Sequence, residues 1–178
     1  AFTDGCIGDG FEDACAAIGL MSGPLVLIGS SMGGWISLLV ARAMPDRIAG
    51  LVTIAAAPDF TEDSMWAGFD ADQKAQLATE GQVALPSDYG DPYIITNRLI
   101  EDGRNQLVLR DPLSLPFPVR FLQGTADADV NMTVALRLID HVQGPDMRLT
   151  LVDGADHRFS DKACLDMITT AVADIGCV

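Results

Sequence analysis

The apolar positions fall into short blocks whose period changes along the chain. Phe11, Ala14, Cys15, Ile18 and Met21 recur at helical spacing, with Glu12 and Asp13 early, where the helix dipole favours acids; a helix over Phe11 to Met21, ending at Ser22-Gly23, is expected. Pro24 then opens Leu25-Val26-Leu27-Ile28-Gly29, a continuous apolar run of the kind found in a parallel strand covered on both faces. Helical spacing returns from Trp35 to Met44 and stops at Pro45-Asp46, and Ile48 to Ala57 is a second apolar run closed by Pro58. Further on, Pro118 to Leu122 reads as a strand, Met132 to Val142 as a helix, Met147 to Val152 as a strand and Lys162 to Ile175 as a closing helix. Strands alternating with helices imply an α/β fold, three-layered, around a mostly parallel, doubly wound sheet.

Two stretches break this rhythm. Residues 59–116 are acidic and mixed, with helices expected over Ala71 to Glu80 and Tyr93 to Asn105, separated by the turn-rich Leu85-Pro86-Ser87-Asp88-Tyr89-Gly90. They read as a helical lid inserted into one domain covering 1–178. Ahead of the first helix, Gly5, Gly8 and Gly10 occur with no leading strand and are expected to form a loop.

Composition narrows the classes. At 178 residues the chain has room for about one domain of ~150 residues and a real core. With 49% apolar and 20% charged residues it lies far from disordered compositions. Acidic residues outnumber basic ones 25 to 11, for a net charge of −14, so phosphate backbones and anionic membranes would be repelled and nucleic acid is not an expected partner. No apolar run approaches the roughly 20 residues of a membrane span. The four cysteines (Cys6, Cys15, Cys164, Cys177) form no C-x-x-C pair and are expected to be reduced thiols acting as small packing residues, which fits a cytoplasmic setting.

The chemistry concentrates at three places. Gly29-Ser30-Ser31-Met32-Gly33 matches G-x-S-x-G between an apolar strand and a helix, where a sharp turn can expose a serine oxygen; Ser31 is the candidate nucleophile, and a Cβ at either flanking glycine is expected to clash with neighbouring backbone. A serine hydroxyl needs a base, and only His141 and His157 are histidines; His157 lies just beyond a strand, whereas His141 lies within a helical run. The orienting acid is expected at Asp127, in Gly124-Thr125-Ala126-Asp127. Asp129 fits a cap for the following helix better, and Asp156 a turn hydrogen bond. Ser31, Asp127 and His157 all follow the C-terminal ends of expected strands, the edge where open α/β sheets place ligands. No zinc spacing occurs, Trp35-Ile36 stands where a phosphate loop needs Lys and Ser or Thr, and neither a metal nor a cofactor is expected.

Gly-Ser-Ser-Met-Gly-Gly-Trp at 29–35, Ala-Ala-Ala-Pro-Asp-Phe at 55–60, Gly-Thr-Ala-Asp-Ala-Asp-Val at 124–130 and Asp-Gly-Ala-Asp-His-Arg-Phe-Ser at 153–160 resemble the second half of an α/β-hydrolase, over essentially the whole chain. Within that superfamily, Pro86 to Gly90 included, the chain is similar to bacterial relatives of the mitochondrial abhydrolase described as an acyl-protein thioesterase and mycophenolic acid acyl-glucuronide esterase. The resemblance implies a Ser31-Asp127-His157 triad, an oxyanion donor in the Met32 N–H, and small acyl esters or thioesters as substrates. Trp66, Phe69, Tyr89 and Tyr93 are candidates for an acyl pocket. The resemblance also implies about four upstream strands and a His-Gly-Gly-type loop completing the oxyanion hole; nothing before Ser31 matches them, so an N-terminal third is expected to be absent. On that expectation the Leu25 to Ile28 strand offers an apolar edge for self-association. Two alternatives stay open: a catalytically impaired fragment or binding module with an unfinished oxyanion hole, and a triad turned to lyase or haloperoxidase chemistry.

Overall fold

The computed structural model describes residues 5–86 and 92–176. In chain order the elements are α1 (Ile7–Gly19), β1 (Leu25–Ser30), α2 (Met32–Ala43), β2 (Ile48–Ile54), α3 (Ala71–Glu80), β3 (Gln82–Leu85), β4 (Tyr93–Thr96), α4 (Asn97–Asn105), β5 (Leu113–Ser114), β6 (Val119–Gly124), α5 (Met132–His141), β7 (Val142–Gln143), β8 (Met147–Val152) and α6 (Lys162–Gly176). They divide into two compact units: Ala14–Pro58 with Val108–Val178, and Asp59–Leu107 with Ala1–Asp13.

The larger unit is built on a sheet in the order β1-β2-β6-β8, parallel throughout. β2 and β6 are central and buried almost end to end, as their apolar runs require, whereas β1 and β8 are less buried. Val52 and Ile54 of β2, with Leu122 of β6, pack against Cys164, Ala171 and Ile175 of α6. The opposite faces of these fully buried strands need cover as well, and α2 packs on β1 and β2 while α5 packs on β6 and β8. The parallel α/β order expected from the alternating pattern is therefore present.

Arg120 is the unusual residue of this core, a charge only 5% exposed within a central strand. Its guanidinium reaches Asp146 Oδ2 at 2.6 Å and Asp174 Oδ2 at 2.8 Å, and donates to the carbonyls of Val119 and Asp146 at 3.0 and 3.3 Å. One side chain thus clamps β6 to the start of β8 and the end of α6. A buried guanidinium is tolerable only with its donors satisfied in this way.

The smaller unit has its own apolar centre of Phe69, Leu77, Val83, Ile95 and Ile100. It starts with a π-helical turn at Thr61–Trp66; α3 follows behind a capping box in which Asp70 and Gln73 exchange hydrogen bonds. The helix expected over Tyr93 to Asn105 is corrected. Tyr93-Ile94-Ile95-Thr96 is a β-branched and aromatic run that pairs antiparallel with Gln82–Leu85, and helix begins only after Thr96, whose Oγ1 accepts from Leu99 N. The glycine loop is corrected too: Gly8 and Gly10 lie inside α1, with Asp9 Oδ2 accepting from Cys6 N at 3.1 Å and Asp102 Oδ2 from Gly8 N at 2.7 Å. The local bond from Cys6 N and the long-range bond from Gly8 N to Asp102 offset the poor helix propensity of glycine here.

Among the described residues no helix is long and apolar enough to cross a membrane. Cys6, Cys15 and Cys164 make no disulfide among the described residues; burial pushes the Cys164 thiol up to about 11, and its Sγ donates to Asp161 Oδ2.

Arg120→Met should lower stability by about 2–3 kcal/mol in urea unfolding, because the charge-assisted hydrogen bonds are lost while the two half-exposed aspartates regain water. The hydrogen bond from Arg120 holds the Asp146 carboxyl below its ordinary range. Unfolded chains then bind more protons than folded ones, so this contribution is present above about pH 4 and disappears as pH falls further. Urea titrations between pH 3 and 6 should show a shallower acid loss for Arg120→Met than for the parent chain.

Candidate active site

The register of the sheet brings the strand ends to one rim. Ser30 pairs with Ile54, Ile54 with Leu122, and Gly124 with Val152, so all four strands end at one edge, residues 31 and 55 leaving it side by side and residues 125 and 153 side by side two positions further along. Parallel strands joined by helices always return the chain to the same edge, which is how residues over a hundred positions apart converge.

Ser31 occupies the turn between β1 and α2 at φ 53° and ψ −122°, a conformation that L-residues rarely adopt. Three backbone hydrogen bonds hold it there: Ser31 N donates to Ile54 O at 2.9 Å, and Ser31 O accepts from Gly34 N at 2.9 Å and Ala57 N at 3.1 Å. Met32 is the first residue of α2, so its N–H has no acceptor within the helix. A Cβ at Gly29 would collide with Gly33 O and Ser37 Oγ, as the sequence pattern suggested. The second motif glycine departs from expectation. A Cβ at Gly33 would meet nothing, whereas one at Gly34 would lie 2.7 Å from Ala56 Cβ, so the close approach of α2 to the chain after β2 is made at Gly34.

Asp127 follows β6 with its side chain fully buried. Oδ1 accepts from Asp129 N at 2.9 Å and Val130 N at 2.8 Å; Oδ2 lies 2.9 Å from Gln123 Nε2 and 2.9 Å from His157 Nδ1. On the other side of the His157 ring, which is 23% exposed, Nε2 lies 3.1 Å from Ser31 Oγ. A carboxylate only accepts, so Nδ1 carries the proton and Nε2 presents its lone pair to the serine hydroxyl. The loops bearing Asp127 and His157 are joined directly: Thr125 N donates to Val152 O, Ala126 N to Ala155 O, and Gly154 N to Thr125 Oγ1.

Other candidates fall elsewhere. His141 ends α5, its Nε2 2.9 Å from Asp111 O. Asp156 closes a turn, accepting from the N–H groups of Arg158 and Phe159. Asp129 is not the helix cap; Asn131 caps α5 through Thr133 N, because it is the residue immediately preceding the first turn. Asp127, Asp129 and His157 place ligand-type atoms within 4.8 Å of one another, but both oxygens of Asp127 and the Nδ1 of His157 are committed to the hydrogen bonds above. Trp66 is half-buried beneath Lys74 and Arg104 and edge-on to Phe69, which itself belongs to the core of the smaller unit. Tyr93 is 46% exposed on β4, and Tyr89 lies outside the described residues. Gln123 was not singled out from the sequence, although an amide inside the apolar run Val119–Gly124 is the signal that marks it.

Gly33→Ala should be neutral or stabilising by up to about 1 kcal/mol, since alanine is the better helix former. Gly34→Ala should cost about 1–3 kcal/mol through overpacking against Ala56. Thermal unfolding of the two variants side by side checks the order.

No family model matches the chain. It is 29% identical over 158 residues to the rat palmitoyl-protein thioesterase ABHD10, mitochondrial, an alignment covering 88% of this chain and 53% of the relative. A protein of Agrobacterium vitis S4 with a known crystal structure is 37% identical, with 98% of this chain and 70% of that one covered and a TM-score of 0.94. Mouse alpha/beta hydrolase domain-containing protein 10 is 26% identical, with 96% and 69% covered and a TM-score of 0.87. The chain spans about half the length of the curated relatives it matches. Its parallel sheet, its strand–serine turn–helix and these likenesses together make it a member of the α/β-hydrolase superfamily.

Proposed function

We propose that the chain carries the catalytic residues of a serine hydrolase acting on carboxylic esters or thioesters of acyl groups. The observation that carries this reading is the continuous line of contacts from Ser31 Oγ to His157 Nε2 at 3.1 Å and from His157 Nδ1 to Asp127 Oδ2 at 2.9 Å. In this reading His157 Nε2 takes the hydroxyl proton as Ser31 Oγ bonds to the acyl carbon, and Asp127 fixes the ring and stabilises its cation. The tetrahedral oxyanion accepts from the Met32 N–H at the positive end of α2. Collapse breaks the bond to the alkoxide or thiolate, which leaves with the proton returned by His157. Water, activated by the same ring, then releases the carboxylic acid and restores Ser31.

The relatives named palmitoyl-protein thioesterases favour thioesters among the possible substrates.

A fluorophosphonate probe should label Ser31, and Ser31→Ala should abolish both labelling and hydrolysis of p-nitrophenyl and acyl-thiol substrates, a loss of at least about a thousandfold, while leaving the unfolding curve in place. Hydrolysis that survives Ser31→Ala would overturn the assignment.

A further inference from the structure

Gln123 is 1% exposed in a central strand, four residues before Asp127. Its Nε2 lies 2.9 Å from Asp127 Oδ2, 3.1 Å from Val130 O and 3.2 Å from Gly124 O, while its Oε1 is buried without a hydrogen-bond partner. Three acceptors surround the nitrogen and, among the described residues, no donor meets the oxygen. That arrangement fixes which way the amide points, because rotating it by half a turn would set Oε1 against three oxygens.

The consequence concerns the carboxylate. Backbone N–H groups of Asp129 and Val130 pin Oδ1. Among the described residues Oδ2, the oxygen facing the imidazole, is held by Gln123 and by His157. Without Gln123, the ring would be the one direct partner of Oδ2 among the described residues, and the carboxylate plane would be anchored through Oδ1 alone. We propose that Gln123 is a positioning residue for the hydrolase reading above, acting through Asp127: its Nε2–H anchors the Oδ2 side of a carboxylate whose Oδ1 is held by backbone, and the two anchors together fix the plane that keeps His157 in line with Ser31. The inference rests on that reading.

A double-mutant cycle on the full chain tests it, with fluorophosphonate labelling of Ser31 and ester turnover as readouts. Gln123→Met, of similar length but without a donor, should slow labelling and lower kcat roughly 10- to 100-fold, with KM little changed, as lost support for a ligating or catalytic group typically does. On an Asp127→Asn background the same change should cost less than about twofold, because the carboxylate it acts through is already gone. Gln123→Glu keeps the shape and replaces the donor amide with oxygen; at pH 8 it should lose at least as much, and it serves if the methionine variant does not fold. Wild-type rates in whichever folded variant is measured, or an equal fold-loss on both backgrounds, would overturn the proposal while leaving the hydrolase reading intact. A parent chain that the probe does not label at Ser31 would overturn the hydrolase reading, and the role of Gln123 with it.

Discussion

Ser31 sits at φ 53° and ψ −122°, and such a conformation costs about 1–3 kcal/mol in an L-residue. It persists because the end of β2 and the chain after it supply the bonds that hold it: Ile54 O on one side, Ala57 N on the other, with Gly34 N closing the first turn of α2. The strain is therefore carried by the sheet and not by the turn itself. Gly34 belongs to the same device, since any side chain there would push α2 away from Ala56 and with it the backbone that supports Ser31. The oxygen that emerges points over the strand ends, with the N–H of Met32 unclaimed by the helix beside it.

A second constraint acts on the acid and the imidazole. Asp127 is buried with its oxygens met by two backbone N–H groups, an amide and a ring nitrogen, a setting in which each donor substitutes for a lost water. The loops that bear Asp127 and His157 follow neighbouring strands, β6 and β8, and are cross-bonded through Thr125 and Ala126. The geometry among Ser31, His157 and Asp127 is thus set by strand order and register before any of the three side chains contributes. Membership in the superfamily accounts for this scaffold; which acyl compound is cleaved depends on groups beyond it, because one fold supports many reactions.

Much of this was legible in one dimension. Long apolar runs have few alternatives to buried strands, and the runs at 25, 48, 119 and 147 became the four strands of the central sheet, with Met147–Val152 at the expected bounds. The strand–glycine–serine–helix grammar placed Ser31, the position of His157 just after a strand separated it from His141, and Asp127 after the neighbouring strand was preferred to Asp156, which as the residue next to His157 fits a turn hydrogen bond. Local signals failed where partners were distant. Tyr93–Thr96 read as helix because nothing nearby announces that Gln82–Leu85 will pair with it. Gly8 and Gly10 read as loop because the carboxylates that anchor that helical start include Asp102, far along the chain.

The sequence by itself determined the periodicities, hence the elements and their alternation, and the residue types able to perform nucleophilic chemistry. Only the tertiary structure decided which glycine must be bare, which residue caps α5, and that Gln123 faces Asp127. Those facts depend on distances between segments remote in the chain. A pattern of side chains encodes which face is buried, but not which neighbour a buried atom will meet.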